Sequence, residues 1–153
     1  MRCPVHLSIG QEAVASGVCY SLKQRDLVLS AHRSHAHYLA KGGSFKSMLS
    51  EIHGKSNGCA GGKGGSMHLI DTKAGFIAAV PIVGSTIPIA VGASWGLGLQ
   101  NKNNLVCVFF GDAATEEGVF QESLNFASLH KLKMLFICEN NYYSVYTNID
   151  TRR

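Results

Sequence analysis

The chain has 153 residues, of which 46% are hydrophobic and 16% are charged. This composition excludes an intrinsically disordered protein and suits a single domain with a buried core. The net charge of +4 is mild, and the basic residues form no run and no known nucleic-acid-binding motif, which argues against nucleic-acid binding. The five cysteines form no C-x-x-C pair, and no signal-peptide pattern is visible, so we expect a cytoplasmic protein.

Apolar periodicity predicts the elements of the first half of the chain. Residues 10–22 are predicted to form a helix and residues 26–30 a strand. Ser44 is a predicted N-cap of a helix that ends near His53. Residues 54–66 include six glycines and are predicted to form an ordered loop, because an apolar segment follows at once. The helix after Ser44 is expected to turn four side chains inward: Phe45, Met48, Leu49 and Ile52.

Residues 75–99 contain no charged side chain and are long enough to cross a bilayer. Two prolines, several hydroxyl side chains and five glycines nevertheless make this segment a poor lipid-facing surface. We therefore expect no membrane span, but a loop through about Val83 followed by a helix buried between other elements. Within that helix, Gly92 and Gly96 would let another backbone approach closely.

Two apolar runs in the second half end in polar residues that could share one site. The runs at 105–110 and 134–138 are predicted strands, and the helical pattern at 115–129 would connect them. A right-handed βαβ crossover brings the carboxyl ends of parallel strands to one edge of the sheet, where ligands bind in α/β proteins. Asp112 and Asn141, which follow the two runs, offer the hard oxygen atoms that Mg²⁺ prefers. The sequence therefore predicts a parallel sheet flanked by helices, with a Mg-diphosphate site at its edge.

Basic side chains follow the first predicted strand at the same edge. Arg33 could hold a diphosphate through two parallel hydrogen bonds, or it could form an ordinary surface salt bridge. The cluster of His32, His35 and His37 lacks cysteines or acids at zinc-ligand spacing. We therefore expect these imidazoles to hydrogen-bond phosphate or carboxylate oxygens.

Six short motifs together resemble one known family over almost the whole chain. They are His6-Leu-x-x-Gly-Gln-Glu-Ala13, His32-Arg-x-His35, Gly62-Lys-Gly-Gly-Ser-Met-His68, Ile82-Val-Gly84, Gly111-Asp112 and Glu139-Asn-Asn-x-Tyr143. The pattern resembles the α subunit of the thiamine-diphosphate-dependent 2-oxo acid dehydrogenase E1 family, of the pyruvate, branched-chain and acetoin dehydrogenase types. The resemblance implies a partial thiamine-diphosphate-binding fold, with residues 1–153 as one domain that is incomplete at the C-terminus.

The resemblance also implies a role for each matching position. The metal ligands of Mg²⁺ would be Asp112, the Asn141 side chain and the Tyr143 carbonyl, and the ion would bridge the diphosphate of thiamine diphosphate. His6 and His35 would be catalytic residues on the substrate side. The cofactor-binding residues would be His32 and Arg33 at the diphosphate, Ile82 and Val83 at the aminopyrimidine, and Gly111, Asp112, Ala113, Ala114, Asn141 and Tyr143.

The implied activity is the oxidative decarboxylation of a small 2-oxo acid together with a β subunit in an α2β2 heterotetramer. An E2 lipoyl acyltransferase is a further candidate partner. Two alternatives stay open, a catalytically idle interaction module and a transketolase-like N-terminal subunit. Three positions differ from the family pattern, namely His32, Pro81 and Ala113. A methyl group at Ala113, where the backbone approaches phosphate or where φ is positive, predicts weaker cofactor binding.

Overall fold

Four parallel strands form the sheet at the centre of the computed structural model, which describes residues 3–153. The strands are β1 Leu27–Ser30, β2 Phe76–Ala79, β3 Val106–Gly111 and β4 Met134–Glu139. Their order across the sheet is β2-β1-β3-β4, so the two strands predicted to carry the site are direct neighbours. The predicted α/β fold with a parallel sheet is confirmed.

Six helices and a small hairpin surround or extend this sheet. The helices are α1 Glu12–Ser21, α2 His35–Ala40, α3 Phe45–Ile52, α4 Thr86–Leu99, α5 Gly118–Leu129 and α6 Ile149–Arg152. Short 3-10 turns lie at Gly65–Met67 and Asp112–Glu116. The hairpin pairs β5 Tyr143–Ser144 with β6 Thr147–Asn148 in antiparallel fashion.

Both faces of the sheet are covered, which explains why its strands read as apolar runs without alternation. On one face, α1, α2 and α3 pack against Val28, Cys107 and Phe109. On the other face, α4 and α5 pack against side chains that include Val108 and Phe110. Successive residues of β3 therefore belong alternately to the two cores.

The helix predicted after Ser44 is present, and the Ser44 side chain accepts a hydrogen bond from the Ser47 amide as an N-cap. Met48 and Ile52 are buried as predicted. Phe45 and Leu49 are 59% and 40% exposed, so the prediction that they turn inward is wrong. The buried stripe of this two-turn helix is narrower than its apolar composition suggests.

Two other predicted boundaries differ from the structure. Residues 76–79 were expected to be loop but form β2, which pairs in parallel with β1. The helix predicted at 115–129 starts at Gly118, because a 3-10 turn occupies the residues directly after β3. The helix predicted after Val83 is present as α4, and no helix in residues 3–153 has the length and apolarity needed to span a membrane. Within those residues, no neighbouring atom lies within 4 Å of a Cβ built at Gly92 or Gly96, so the expected close backbone approach is not made.

Candidate cofactor site at the carboxyl edge of the sheet

The carboxyl ends of β3 and β4 lie side by side, as the spacing of Asp112 and Asn141 predicted. Gly111 pairs with Glu139 at the last rung of the ladder. Asp112 follows on one strand and Asn141 on the other, and both line a cavity of about 350 Å³. Ten of the twelve predicted site residues line this one cavity: His6, His32, Arg33, Val83, Gly111, Asp112, Ala113, Ala114, Asn141 and Tyr143.

Ile82 and His35 are the two predicted residues outside the cavity wall. Ile82 is 69% exposed and directly precedes the cavity-lining Val83. His35 is buried in α2, and its Nε2 lies 2.7 Å from the Ser66 hydroxyl oxygen. Burial lowers the pKa of His35, outweighing the opposing effect of the bond to Ser66, and the nearby His6 lowers it further.

Asp112 is only 3% exposed, and its carboxylate is paired with a cation of the same chain. The Arg152 guanidinium donates to this carboxylate and also to Glu116 Oε1 at 2.7 Å. Arg153 donates to the Asp112 carbonyl at 3.3 Å and to the Thr115 hydroxyl at 2.8 Å. Arg152 therefore offsets the charge of the predicted metal ligand and Arg153 holds its backbone carbonyl, and no local sequence pattern pointed to either of them.

Asn141 and Tyr143 lie in a tight turn directly after β4. The Asn141 side-chain oxygen accepts a hydrogen bond of 3.0 Å from the Tyr143 amide, and Asn140 does the same for Tyr142. Tyr142 has a positive φ of 65°, which such Asx turns help to stabilise. The Asn141 amide oxygen keeps a second lone pair, so it is still able to bind a cation.

The oxygen atoms at this edge fit a magnesium ion in their chemistry. A carboxylate from Asp112, an amide oxygen from Asn141 and the backbone carbonyl of Tyr143 are all hard donors, and all three residues line the cavity. A set with one carboxylate suits an ion that keeps waters and takes its other ligands from a phosphorylated molecule. The paired Arg152 guanidinium competes with such an ion for the Asp112 carboxylate.

The basic side of the cavity is built by His6, which precedes α1, and by His32 and Arg33, which follow β1. The His6 and His32 rings meet edge to face, with their centroids 4.7 Å apart. Burial lowers the pKa of His32, and His6 and Arg33 lower it further. Arg33 donates to the Leu7 carbonyl at 2.6 Å, and no acid among residues 3–153 pairs with its guanidinium. The alternative of a surface salt bridge for Arg33 is therefore not realised.

Ala113 does not have the conformation that would make its methyl group a problem. It lies in the 3-10 turn after β3 and does not have a positive φ. The expectation of backbone strain at this position is wrong, because a right-handed helical turn accepts alanine readily. The Ala113 side chain does line the cavity, so the expected effect on the approach of phosphate stays a prediction.

Glu51 organises the glycine-rich loop, a role that sequence reasoning missed. Its carboxylate is fully buried and accepts four backbone hydrogen bonds. Oε2 accepts from Ala60 and Gly62 at 2.7 and 2.8 Å, and Oε1 accepts from Gly64 and Gly65 at 2.7 and 3.1 Å. The loop is therefore ordered, as predicted, but the group that orders it is Glu51 on α3, which precedes the loop.

Gly62 shows why this loop needs glycine. Its φ is +76°, and a Cβ at this position would lie 2.5 Å from the Lys55 carbonyl oxygen. The loop then delivers Ser66 to the predicted catalytic His35. Glu51 thus supports the site indirectly, by fixing the segment that contacts His35.

The fold has a measurable similarity to a solved enzyme structure. A putative thiamin diphosphate-dependent enzyme from Mycobacterium smegmatis matches with a TM-score of 0.56 over 92% of this chain and 21% of that chain. Sequence identity is 15%, so this similarity concerns the fold alone. It agrees with the fold predicted from the motifs.

The family model for the dehydrogenase E1 component matches residues 2–153, and the chain belongs to this family. It is 43% identical over 139 residues to the α subunit of acetoin:2,6-dichlorophenolindophenol oxidoreductase from Bacillus subtilis, which covers 91% of this chain and 42% of that relative. It is 41% identical over 144 residues to the pyruvate dehydrogenase E1 component subunit alpha from Rickettsia prowazekii, covering 94% and 44%. The chain therefore spans less than half the length of these relatives, and the family predicted from the motifs is confirmed.

Proposed function

We propose that the chain is the cofactor-binding part of an E1 α-type subunit, which binds thiamine diphosphate with Mg²⁺ and acts with a β subunit on a 2-oxo acid. The observation that carries this proposal is the convergence of Asp112 and Asn141 on one cavity at the ends of neighbouring parallel strands. Open α/β sheets bind their ligands at this edge. Membership of the E1 family supports the same cofactor class.

In this proposal, Asp112, Asn141 and the Tyr143 carbonyl hold the metal ion. His32 and Arg33, on the basic side of the cavity, contact the diphosphate, and Arg33 has guanidinium donors left beyond its bond to Leu7. Gly111, Ala113 and Ala114, which line the cavity beside Asp112, bind the cofactor next to the metal ion. Ile82 and Val83, which are 69% and 49% exposed, supply an apolar surface for the aminopyrimidine.

Thiamine diphosphate, when bound, supplies the carbanion chemistry needed to decarboxylate a 2-oxo acid. The residues of this chain bind and orient it and help to exclude water. His6, on the cavity wall, and His35, held by Ser66 behind it, are proposed to serve the substrate side. Burial lowers the pKa of His35, which favours a neutral imidazole that can accept or donate a hydrogen bond there.

The exposed Ile82 and Val83 support the proposal that a second subunit covers the cavity mouth. We propose an E1 β subunit in an α2β2 assembly, with an E2 lipoyl acyltransferase as the acceptor of the product. We also propose a cytoplasmic location. The family match favours this E1 assembly over the transketolase-like alternative.

The test is cofactor binding, measured by titration calorimetry with thiamine diphosphate and Mg²⁺. We expect binding that EDTA abolishes and that Asp112→Ala reduces at least about tenfold, since it removes the charged metal ligand. Glu122→Ala, which removes an exposed acid on α5, is the matched control and should bind normally. Absence of binding by the unmodified chain, even together with a β subunit, would refute the proposal.

A catalytically idle interaction module is the second candidate. The pairing of Arg152 with Asp112 favours it, because a guanidinium there competes with a metal ion. This candidate predicts normal complex formation with the β subunit and no 2-oxo acid-dependent reduction of an artificial electron acceptor. Reduction of the acceptor that depends on Asp112 would exclude it.

A further inference from the structure

His37 is a buried residue that the proposed function leaves without a role. It is 1% exposed, and its ring stacks on Phe109 of β3 with the centroids 4.0 Å apart. Both ring nitrogens have partners: Nδ1 lies 2.9 Å from the Ser30 hydroxyl oxygen, and Nε2 lies 3.1 Å from Glu139 Oε1. His37 thus links the end of β1 to the end of β4, across the intervening β3.

The chemistry of the partners fixes the direction of these bonds. An ionised Glu139 carboxylate can only accept, so the Nε2–H of His37 donates to it. In the neutral ring, Nδ1 then carries a lone pair and accepts from the Ser30 hydroxyl. Ser30 is 1% exposed, so this chain of three side chains is sealed from water on its inner side.

Glu139 is the member of the chain that reaches the cofactor cavity. It is the last residue of β4, pairs with Gly111 across the ladder and lines the same cavity as Asp112. Its side chain is 8% exposed. Within the described residues, His37 is the one hydrogen-bond partner of this carboxylate and engages only Oε1, which leaves Oε2 without a protein donor.

Resting on the proposed function, we propose that His37 is a positioning residue that holds Glu139 at the cavity wall, where its carboxylate adds negative charge beside the proposed cation ligands without being one of them. Asp112 and Glu139 stand on adjacent strands, so their charges add at one end of the sheet. Without its bond to His37, Glu139 is free to turn away from the cavity. Residues behind metal ligands typically act in this way, by fixing the orientation of the groups in front.

The test is the affinity for Mn²⁺ in the presence of thiamine diphosphate, measured by electron paramagnetic resonance and so independent of turnover. His37→Phe keeps an aromatic ring on Phe109 and removes both hydrogen bonds, and we expect about tenfold weaker Mn²⁺ binding. His37→Gln can still donate to Glu139 and should restore affinity to within about threefold of the unmodified protein. Tyr38→Phe, which removes a polar atom from the same helix, is the control and should bind normally.

Coupling between the two residues provides the second criterion. If His37 acts through Glu139, His37→Phe should cause no further loss in a protein that already carries Glu139→Gln. Unchanged Mn²⁺ affinity in His37→Phe, or losses that multiply in the double variant, would overturn the inference alone. No Mn²⁺ binding by the unmodified protein, even together with a β subunit, would overturn the proposed function and this inference with it.

The imidazole itself supplies a readout that needs no metal. Nitrogen chemical shifts of histidine-labelled protein, assigned by comparison with His37→Phe, should show a proton on Nε2 of His37. A ring protonated only at Nδ1 would contradict the proposed bond to Glu139.

Discussion

Replacing Glu51 with glutamine should destabilise the protein far more than an isosteric change normally does. The carboxylate accepts two backbone N–H groups on each oxygen, from Ala60 and Gly62 on one and from Gly64 and Gly65 on the other. A glutamine side chain has one oxygen and one NH₂ group, so two of the four buried N–H donors would face another donor.

The magnitude follows from those two lost acceptors. Each buried donor left without a partner costs about 1–3 kcal/mol of unfolding free energy, so we expect a loss of about 4 kcal/mol for Glu51→Gln. For a chain of this size, 1 kcal/mol corresponds to about 2–4 °C in Tm, which gives a decrease of about 8–16 °C. Part of the opened loop should also become accessible to protease between Gly54 and Ser66.

Scanning calorimetry of Glu51→Gln beside Glu122→Gln checks this expectation. Glu122 is exposed on α5, so its variant has the same change of charge without the buried acceptor. A Tm for Glu51→Gln within about 2 °C of the control would show that the Glu51 carboxylate does not hold the glycine-rich loop in place.

The pH dependence of stability offers an independent check on Glu51. Burial alone would raise the pKa of this carboxyl, but the N–H donors of Gly62, Ala60, Gly64 and Gly65 outweigh burial and lower its pKa below 4.5. The stability supplied by Glu51 is therefore present above pH 4.5 and is lost as the pH falls through the lowered pKa. The difference between the unmodified protein and Glu51→Gln should shrink over that acidic interval.

Three further predictions concern the site and its surroundings. Val145→Asn should raise Tm by about 2–4 °C in calorimetry, because Val145 has φ +55° and a β-branched residue is strained there by about 1 kcal/mol. Arg152→Gln should tighten Mg²⁺ binding in calorimetric titrations, since it removes the cation paired with Asp112, and weaker binding would contradict this role. The pKa of His35 is lowered from 6.5 in the folded protein, so the unfolded chain takes up a proton there more readily. The protein should therefore lose stability as the pH falls below 6.5. In urea denaturation, His35→Gln should lose less stability over the same interval.

The parts of the site that could be predicted from the sequence are those encoded by neighbouring residues. Asp112 and Asn141 each end an apolar run, and a parallel sheet brings such run ends together without further information.

β2 was missed because it has four residues, Phe76–Ala79, of which two are alanines with little strand preference. These residues form a strand because they pair with β1, and no local sequence pattern predicts that pairing.

The groups that were missed at the site all depend on contacts between distant segments. The hydrogen bond of His37 to a carboxylate was expected, but its partner Glu139 lies 102 residues away and was missed. Arg152, which was also missed, lies 40 residues from Asp112. Glu51 looked like an ordinary acid on an amphipathic helix, since nothing in its surroundings marks it as buried. What identifies these side chains is burial together with polar partners, and both become visible only when the chain is folded.

The pairing of Arg152 with Asp112 links the proposed metal site to the end of α6. A divalent ion bound at Asp112 repels a guanidinium at hydrogen-bonding distance from the same carboxylate, so the ion and Arg152 cannot both hold their full contacts. Arg152 also pairs with Glu116, which gives it a second acceptor when the first is taken. Coupling between two binding equilibria is reciprocal. A partner that binds Arg152 away from Asp112 therefore raises the affinity for the metal, and the metal raises the affinity for that partner by the same factor. If the proposed cation site is correct, its affinity therefore depends on Arg152 in α6 as well as on the proposed ligands at the strand ends.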